Sequence, residues 1–93
     1  MTDHDLMIKA FGSSPVGFSP LASGDDSQRL QVKLGMTASV GGTTVDACCW
    51  ADKTKPMQII TKALLFDPAI PDDDLRAMRE SIFLVAVEVG RAT

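Results

Sequence analysis

Both cysteines and the single tryptophan of this chain lie within the stretch VDACCWAD at positions 45–52. A thiolate is a nucleophile and a metal ligand, so two thiols beside an indole could serve redox, catalytic or binding chemistry. A reactive thiol needs a nearby cation or a helix N-terminus to lower its pKa. In a strand, Asp46 shares a face with Cys48, and a carboxylate has the opposite effect. We therefore expect an ordinary strand here, with a thiol-based sensor or enzyme that uses Cys48 as an alternative.

Metal and acid–base sites have little support elsewhere in the sequence. The single histidine, His4, lies between Asp3 and Asp5 near the N-terminus. Zinc sites usually need four converging ligands, and the two cysteines would point to opposite sides of a strand. The acids at 72–74 precede a periodic apolar segment, where Asp side chains cap a helix and interact favourably with its dipole. We predict no catalytic residue, no bound metal and no cofactor.

The overall composition is that of a small globular domain. The 93 residues are 45% hydrophobic and 23% charged, which predicts one domain over residues 1–93. The net charge is −3 and the nine Lys and Arg residues are scattered, so we expect no nucleic-acid partner. The longest apolar run, residues 82–87, is too short to span a bilayer, and the N-terminus lacks a signal-peptide pattern. Because two adjacent cysteines make no disulfide framework, we expect a cytoplasmic protein without membrane contact.

Residues 30–40 alternate between apolar and polar side chains, which predicts a half-buried strand. The glycine pair at 41–42 then supplies a two-residue turn into a second strand at 43–50. In that register Val40 pairs with Thr43. The sequence therefore predicts a β-hairpin in the middle of the chain.

The same register sets the directions of the side chains in the second strand. Cys49 points to the core and Cys48 points away from it, so the two thiols cannot bridge within the strand. Trp50 stands on the outer side, across from Lys33. Because tryptophan is enriched at binding hot spots, we consider Trp50 a candidate contact residue.

Two helices are predicted after the hairpin. Thr54 as N-cap and Pro56 in the first turn precede a helix over 57–66, whose apolar residues cover one half of a helical wheel. Asp72 caps a second helix, and an apolar stripe at spacings of three and four follows it. Gly90 ends this helix where a left-handed residue is wanted. The stripe consists of Leu75, Met78, Ile82, Val85 and Val89.

Three apolar residues of the last helix lie outside its stripe. A helix that is apolar on most sides must be covered on most sides. The hairpin and the helix at 57–66 could cover this flank, or two copies could pack across a two-fold axis and form a homodimer. A shorter helix followed by a strand at 82–89 is a further option. The residues of the flank are Phe83, Leu84 and Val87.

The N-terminal third allows more than one assignment. Residues 5–11 fit either a short strand or a turn of helix. Residues 12–28 are rich in Gly, Ser and Pro, which predicts a long loop. Val16, Phe18 and Leu21 could pin this loop to the body of the domain, and otherwise it is a mobile arm.

These elements predict the α+β class. The expected architecture is a β-hairpin, or a three-stranded antiparallel sheet if residues 5–11 form a strand, packed against two C-terminal α-helices. Because no catalytic constellation is present, we expect a non-catalytic protein-binding or regulatory protein, of inhibitor or adaptor type, that acts as a homodimer. Trp50, Lys33 and Phe18 are the predicted contact residues. A structural subunit of a larger assembly is the second alternative.

Overall fold

The described part of the molecule combines three helices with one three-stranded sheet. A computed structural model describes residues 2–50 and 59–92. The strands are antiparallel and lie in the order β1-β2-β3. The predicted α+β class is confirmed, but two of the described helices precede the sheet and only one is C-terminal. The elements are α1 (Asp3–Phe11), α2 (Gly24–Leu34), β1 (Thr37–Gly41), β2 (Thr44–Trp50), β3 (Ile59–Leu65) and α3 (Asp73–Ala92).

The N-terminal segment folds as a helix and does not join the sheet. Thr2 caps α1 through a reciprocal pair of hydrogen bonds. Its hydroxyl accepts from the Asp5 backbone N–H at 3.1 Å, and the Asp5 carboxylate accepts from the Thr2 backbone N–H at 3.2 Å. This capping box satisfies two backbone donors that the helix leaves unpaired. The strand option at 5–11 is therefore wrong, and the third strand of the sheet is β3.

A helix occupies the segment where the predicted strand was to begin. The Ser23 side chain accepts a hydrogen bond from the Asp26 backbone N–H at 3.3 Å, and Gly35 ends α2 with a left-handed φ of 65°. These caps define a helix that overrides the alternating pattern. Leu30 is buried while Val32 is exposed, although a strand would place both on one face. The prediction of a strand over 30–40 is wrong before Thr37.

The predicted hairpin exists, with its turn one residue later than expected. Val40 pairs with Val45, which leaves Gly42 and Thr43 as the turn. Gly42 has a φ of 62°, the conformation that such a turn requires and that glycine adopts without strain. The predicted pairing partner of Val40 is therefore wrong by two residues. A shift of two residues leaves every side chain on its own face, so Cys49 still points inward.

The segment predicted as a helix at 57–66 contains strand β3. It pairs with β2 along the full length of both strands. Three consecutive β-branched residues, Ile59 to Thr61, favour the extended backbone. The helix prediction is wrong for this strand, and its proposed cap and first turn, Thr54 and Pro56, lie outside the described residues.

The last helix is continuous and covers one face of the sheet. α3 contains 20 residues, so the option of a strand at 82–89 is wrong. It begins at Asp73, directly after Asp72, and continues past Gly90 to Ala92. The predicted role of Gly90 as the end of the helix is therefore wrong. Gly90 instead lies against the backbone of α1.

The core lies between α3, α1 and the inner face of the sheet, which β2 lines with Val45, Ala47 and Cys49. Phe18 pins the long loop to this core, because it is buried and its ring stacks on Phe11 with centroids 4.6 Å apart. Val16 is fully exposed and pins nothing. The buried apolar cluster comprises Leu6, Met7, Phe18, Leu30, Met36, Ala47, Cys49, Ile82, Phe83, Val85, Ala86, Val87 and Val89.

Candidate functional site

The second face of the sheet is open to solvent, and we call it the outer face. Side chains alternate along each strand, so the neighbours of the buried β2 residues point away from α3. The inner residues of β2 are buried, whereas its outer residues are partly or largely exposed. Every outer residue of β1 and β3 is exposed. We define the outer face by its eleven described residues: Thr37, Ser39, Gly41, Thr44, Asp46, Cys48, Trp50, Ile59, Thr61, Ala63 and Leu65.

Three large apolar side chains stand in solvent on this face. Trp50 is 50% exposed and lies beside Ile59, which is 59% exposed, at one end of the sheet. Leu65 is 73% exposed and lies at the opposite end, in register with Thr44. Single exposed apolar residues are common on protein surfaces, whereas a group on one rigid face is typical of a contact site. The sequence prediction that the indole faces outward is confirmed.

The outer face carries almost no charge. Asp46 is its one charged residue, and the Ser39 hydroxyl donates a hydrogen bond to the Asp46 carboxylate. The remaining members are Thr, Ser, Gly, Ala and Cys residues besides the three large apolar ones. Open faces of antiparallel sheets are usually polar, and depletion of charge marks the centre of protein interfaces. The geometry is thus suited to burial against another surface.

The thiols are divided between the two faces, as the sequence predicted. Cys49 is buried, and burial, together with the neighbouring Cys48, raises the pKa of its thiol. Cys48 is partly buried on the outer face, beside a small cleft of about 230 Å³. None of the described residues that line this cleft is charged; they are Gly35, Thr37, Cys48, Cys49, Trp50 and Ile59. These six residues therefore do not supply the cation that thiolate chemistry requires.

The three predicted contact residues do not form one surface. Lys33 belongs to α2, so its predicted pairing with Trp50 across a hairpin is wrong. It lines a separate shallow cleft of about 550 Å³ together with Phe11, Asp25, Gln28, Arg29 and Val32. Phe18 is buried beneath the loop and offers no exposed ring. Of the three, only Trp50 lies on the outer face.

The apolar flank of α3 is covered by the chain itself. Phe83 and Val87 are buried, and Leu84 is partly buried beside Leu21. The cover differs from the first option considered for this flank, because α1 and the sheet, including strand β3 in place of the predicted helix, pack on α3. Little apolar surface of the flank is left exposed, and dimerisation through Phe83, Leu84 and Val87 stays a prediction.

Comparison with known proteins gives no match: no family model fits the chain, and no curated protein or solved structure is significantly similar to it.

Two further observations bear on the kind of site. Within residues 2–50 and 59–92, no three His, Cys, Asp or Glu side chains are grouped so that they could hold a metal ion. In the same part of the chain, no helix is both long and apolar enough to cross a lipid bilayer.

Ile59 and Leu65 are members of the site that sequence reasoning missed. A helical wheel over 57–66 assigned Ile59 to an apolar half that was expected to be core and left Leu65 as an apolar exception on the polar half. As a strand, the same segment has apolar residues on both faces, and this mixture was the available signal. An edge strand with apolar side chains on both faces has one face to bury within the domain and another to bury against a partner.

Proposed function

We propose that this chain is a non-catalytic protein-binding protein and that the outer face of its sheet is the contact surface. The observation that carries the proposal is the open position of Trp50, Ile59 and Leu65 on a face with a single charged residue. A regulatory role, as an inhibitor or adaptor, fits a small domain whose main exposed feature is a preformed surface.

The energetics of the face support a contact role. Each of the three large side chains still exposes half or more of its surface, and covering it would contribute roughly 1–2 kcal/mol per residue. Tryptophan is among the residues most enriched at energetic hot spots of interfaces. Strands β1 to β3 are joined by backbone hydrogen bonds, so these side chains lose little backbone freedom on binding.

Catalysis by Cys48 is the alternative with the weakest support. The described residues around its cleft supply neither a general base nor a cation that would activate the thiol. The same residues supply an indole and an isoleucine side chain, which suit apolar contact with a partner.

Two double variants test the contact surface. Ile59→Ser with Leu65→Ser removes exposed apolar area from the outer face. Ile70→Ser with Leu75→Ser is the matched control, since those residues are 53% and 52% exposed and lie outside the sheet. We expect both proteins to fold, as checked by circular dichroism and thermal unfolding.

The readout is affinity capture from a native extract with quantitative mass spectrometry. A partner retained by the wild type and by the control variant, but lost from the outer-face variant, supports the proposal. Partners that bind all three proteins equally would show that this face is not the contact surface. A photo-crosslinking residue at position 61, in the middle of the outer face, should then label the same partner.

A further inference from the structure

We infer that the outer face binds a second copy of this chain, face to face across a two-fold axis. This inference rests on the proposed function, because it names the occupant of the same surface. Three properties of the described residues support it: the register of large and small side chains, the position of the Asp46 carboxylate, and the inward-pointing Lys62 on the edge strand β3.

Strand pairing arranges the outer face in four rows. Row one contains Trp50 and Ile59, and row four contains Gly41, Thr44 and Leu65. The middle rows hold mostly small residues: Thr37, Cys48 and Thr61 in row two, and Ser39, Asp46 and Ala63 in row three. One end of the face is therefore bulky, and the other combines one leucine with two small residues.

A two-fold axis that runs across the strands, between rows two and three, matches these ends. It places row one of each copy over row four of the other. Trp50 then lies over Thr44 of the partner subunit, and Ile59 lies over Leu65 of the partner subunit. Large side chains meet small or apolar ones, and the symmetry provides each contact twice. Interdigitation of this kind is how stacked sheets fill the space between them.

The position of the Asp46 carboxylate favours this axis over a two-fold axis that runs parallel to the strands. An axis parallel to the strands beneath β2 would place Asp46 directly over Asp46 of the partner subunit, which costs energy because two like charges are desolvated together. The axis between rows two and three places Asp46 over Cys48 of the partner subunit instead. The chain has a net charge of −3, and its outer face holds only one of the acids, so like charges repel least there.

The edge of the sheet is a poorer contact for a second copy. Lys62 lies at the middle of β3 with its side chain toward the inner face, and it makes no ion pair with a described residue. Antiparallel pairing of two β3 edges about their centres would bring two such lysines together. Inward-pointing charges on edge strands are a common device against edge-to-edge association. The face is therefore favoured over the edge.

The number of contact residues sets the strength of the dimer. Eleven residues form the outer face, whereas a standard interface uses about 20–30 residues on each side. The dimer is thus small and reversible, and a different protein that binds the same residues would compete with the second copy.

Self-association of the full chain is the first test. Sedimentation equilibrium over a thousand-fold range of concentration should show the average mass rising from monomer toward dimer. The Ile59→Ser, Leu65→Ser protein should remain a monomer over this range, and the Ile70→Ser, Leu75→Ser control should dimerise like the wild type. A wild-type chain that stays monomeric throughout overturns the inference, as does a dimer that survives in the outer-face variant.

Cross-linking tests the register independently. Ile59→Cys and Leu65→Cys are introduced in separate chains that lack the native thiols (Cys48→Ser, Cys49→Ala), and each chain is confirmed to fold. A short bis-maleimide should link the mixed pair much faster than either protein to itself. Like positions would lie about 20 Å apart across the axis, given three row steps of two residues each. Equal linking of like and unlike pairs contradicts the proposed axis.

The contact surface and its occupancy by a second copy can be tested separately. If the chain is monomeric but a captured partner still depends on Ile59 and Leu65, the proposed function stands and the second copy is the wrong occupant. If the dimer depends on these residues while no other partner does, the second copy is confirmed and the regulatory role is not.

Discussion

Gly90 of α3 lies directly against the backbone of Leu6 in α1. A Cβ atom at position 90 would stand 1.9 Å from the Leu6 carbonyl oxygen and 2.7 Å from its carbonyl carbon. Real Cβ atoms essentially never approach another atom this closely, so the separation of the two helices depends on glycine at this position. α1 and α3 form the most extensive contact between elements of the described structure, and the close approach occurs within it.

We predict that Gly90→Ala destabilises the fold. The clash is with backbone, which cannot move without shifting α1, and overpacking typically costs about 1–3 kcal/mol. The better helix propensity of alanine offsets roughly 1 kcal/mol of this. Thermal unfolding should show a lower Tm, by about 4–8 °C for each net kcal/mol lost. Gly24→Ala is the control, because nothing lies within 4 Å of a Cβ there. An unchanged Tm for Gly90→Ala would contradict the observed helix packing.

Phe18 is expected to hold the long loop in place. Its ring is buried and stacks on Phe11, so Phe18→Ala should cost about 3 kcal/mol or more, as for other buried aromatic residues. Val16→Ala, in the same loop but fully exposed, should change stability by less than about 0.5 kcal/mol. Denaturant unfolding measures both values. Hydrogen exchange should also show faster exchange around Phe18 in the Phe18→Ala protein, and similar costs for the two variants would mean that the loop is not anchored by the ring.

The sequence-based prediction was most accurate where a single hydrophobic period determined the element. The stripe from Leu75 to Val89 lies on α3 as expected, since its spacing of three and four is that of a helix, although Leu75 is exposed and Gly90 does not end the helix. The directions of Cys48 and Cys49 were also predicted, because an error of two residues in pairing preserves the faces of a strand.

Two elements were assigned to the wrong class for separate physical reasons. In α2 the alternation of Leu30, Val32 and Leu34 matches the pattern of a strand. The structure has a helix there, which Ser23 caps at its start and Gly35 at its end. In β3 a strand was rejected because neither of its faces would be purely polar. The exposed apolar residues of the outer face are the reason for that mixture. The wrong assignment of β3 is informative, because the exposed apolar residues that argued against a strand are the same residues that suggest an interface.

The two thiols are expected to differ in reactivity. Cys49 is buried, and burial raises the pKa of its thiol, whereas Cys48 is partly exposed on the outer face. Mass spectrometry after brief iodoacetamide treatment of the native protein should find Cys48 modified first. Equal modification rates would show that Cys49 is accessible. Rapid modification of Cys48 at pH 6 would instead support the thiol-based alternative.

Burial of Cys49 also has a consequence for stability at high pH. An unfolded cysteine ionises near its ordinary pKa of about 8.5, while the folded thiol resists ionisation because its pKa is raised. The stabilisation that the folded state gains from the protonated Cys49 thiol is fully present below about pH 8.5. It is lost as the pH rises through the higher pKa that this thiol has in the folded state. The free energy of unfolding should therefore fall less between pH 7 and pH 10 in Cys49→Ala than in the wild type. Denaturant unfolding at the two pH values measures this difference.

Asp73 at the start of α3 should titrate at unusually low pH. Arg76 donates from Nε to its Oδ1 at 2.7 Å, and the Asp67 backbone N–H donates to its Oδ2 at 2.7 Å. These bonds lower the pKa of Asp73, so its stabilising effect is present above about pH 4 and is lost as the pH falls through the lowered pKa. Arg76→Ala should raise the pKa of Asp73 in an NMR titration, and Arg91→Ala, at the other end of the helix, should leave it unchanged.

Trp50 should be dispensable for folding and sensitive to contact. About half of its surface is already exposed, so Trp50→Ser should cost only about 1 kcal/mol, whereas Leu30→Ala at a fully buried position should cost about 2–5 kcal/mol. Because Trp50 is the single tryptophan, its fluorescence reports on this site alone. The emission should be that of a partly solvated indole in dilute solution and should shift to shorter wavelength as the outer face is covered. A Trp50→Ser protein that fails to fold, or an emission already blue-shifted and independent of concentration, would place the indole in the core and remove the basis for a contact surface there.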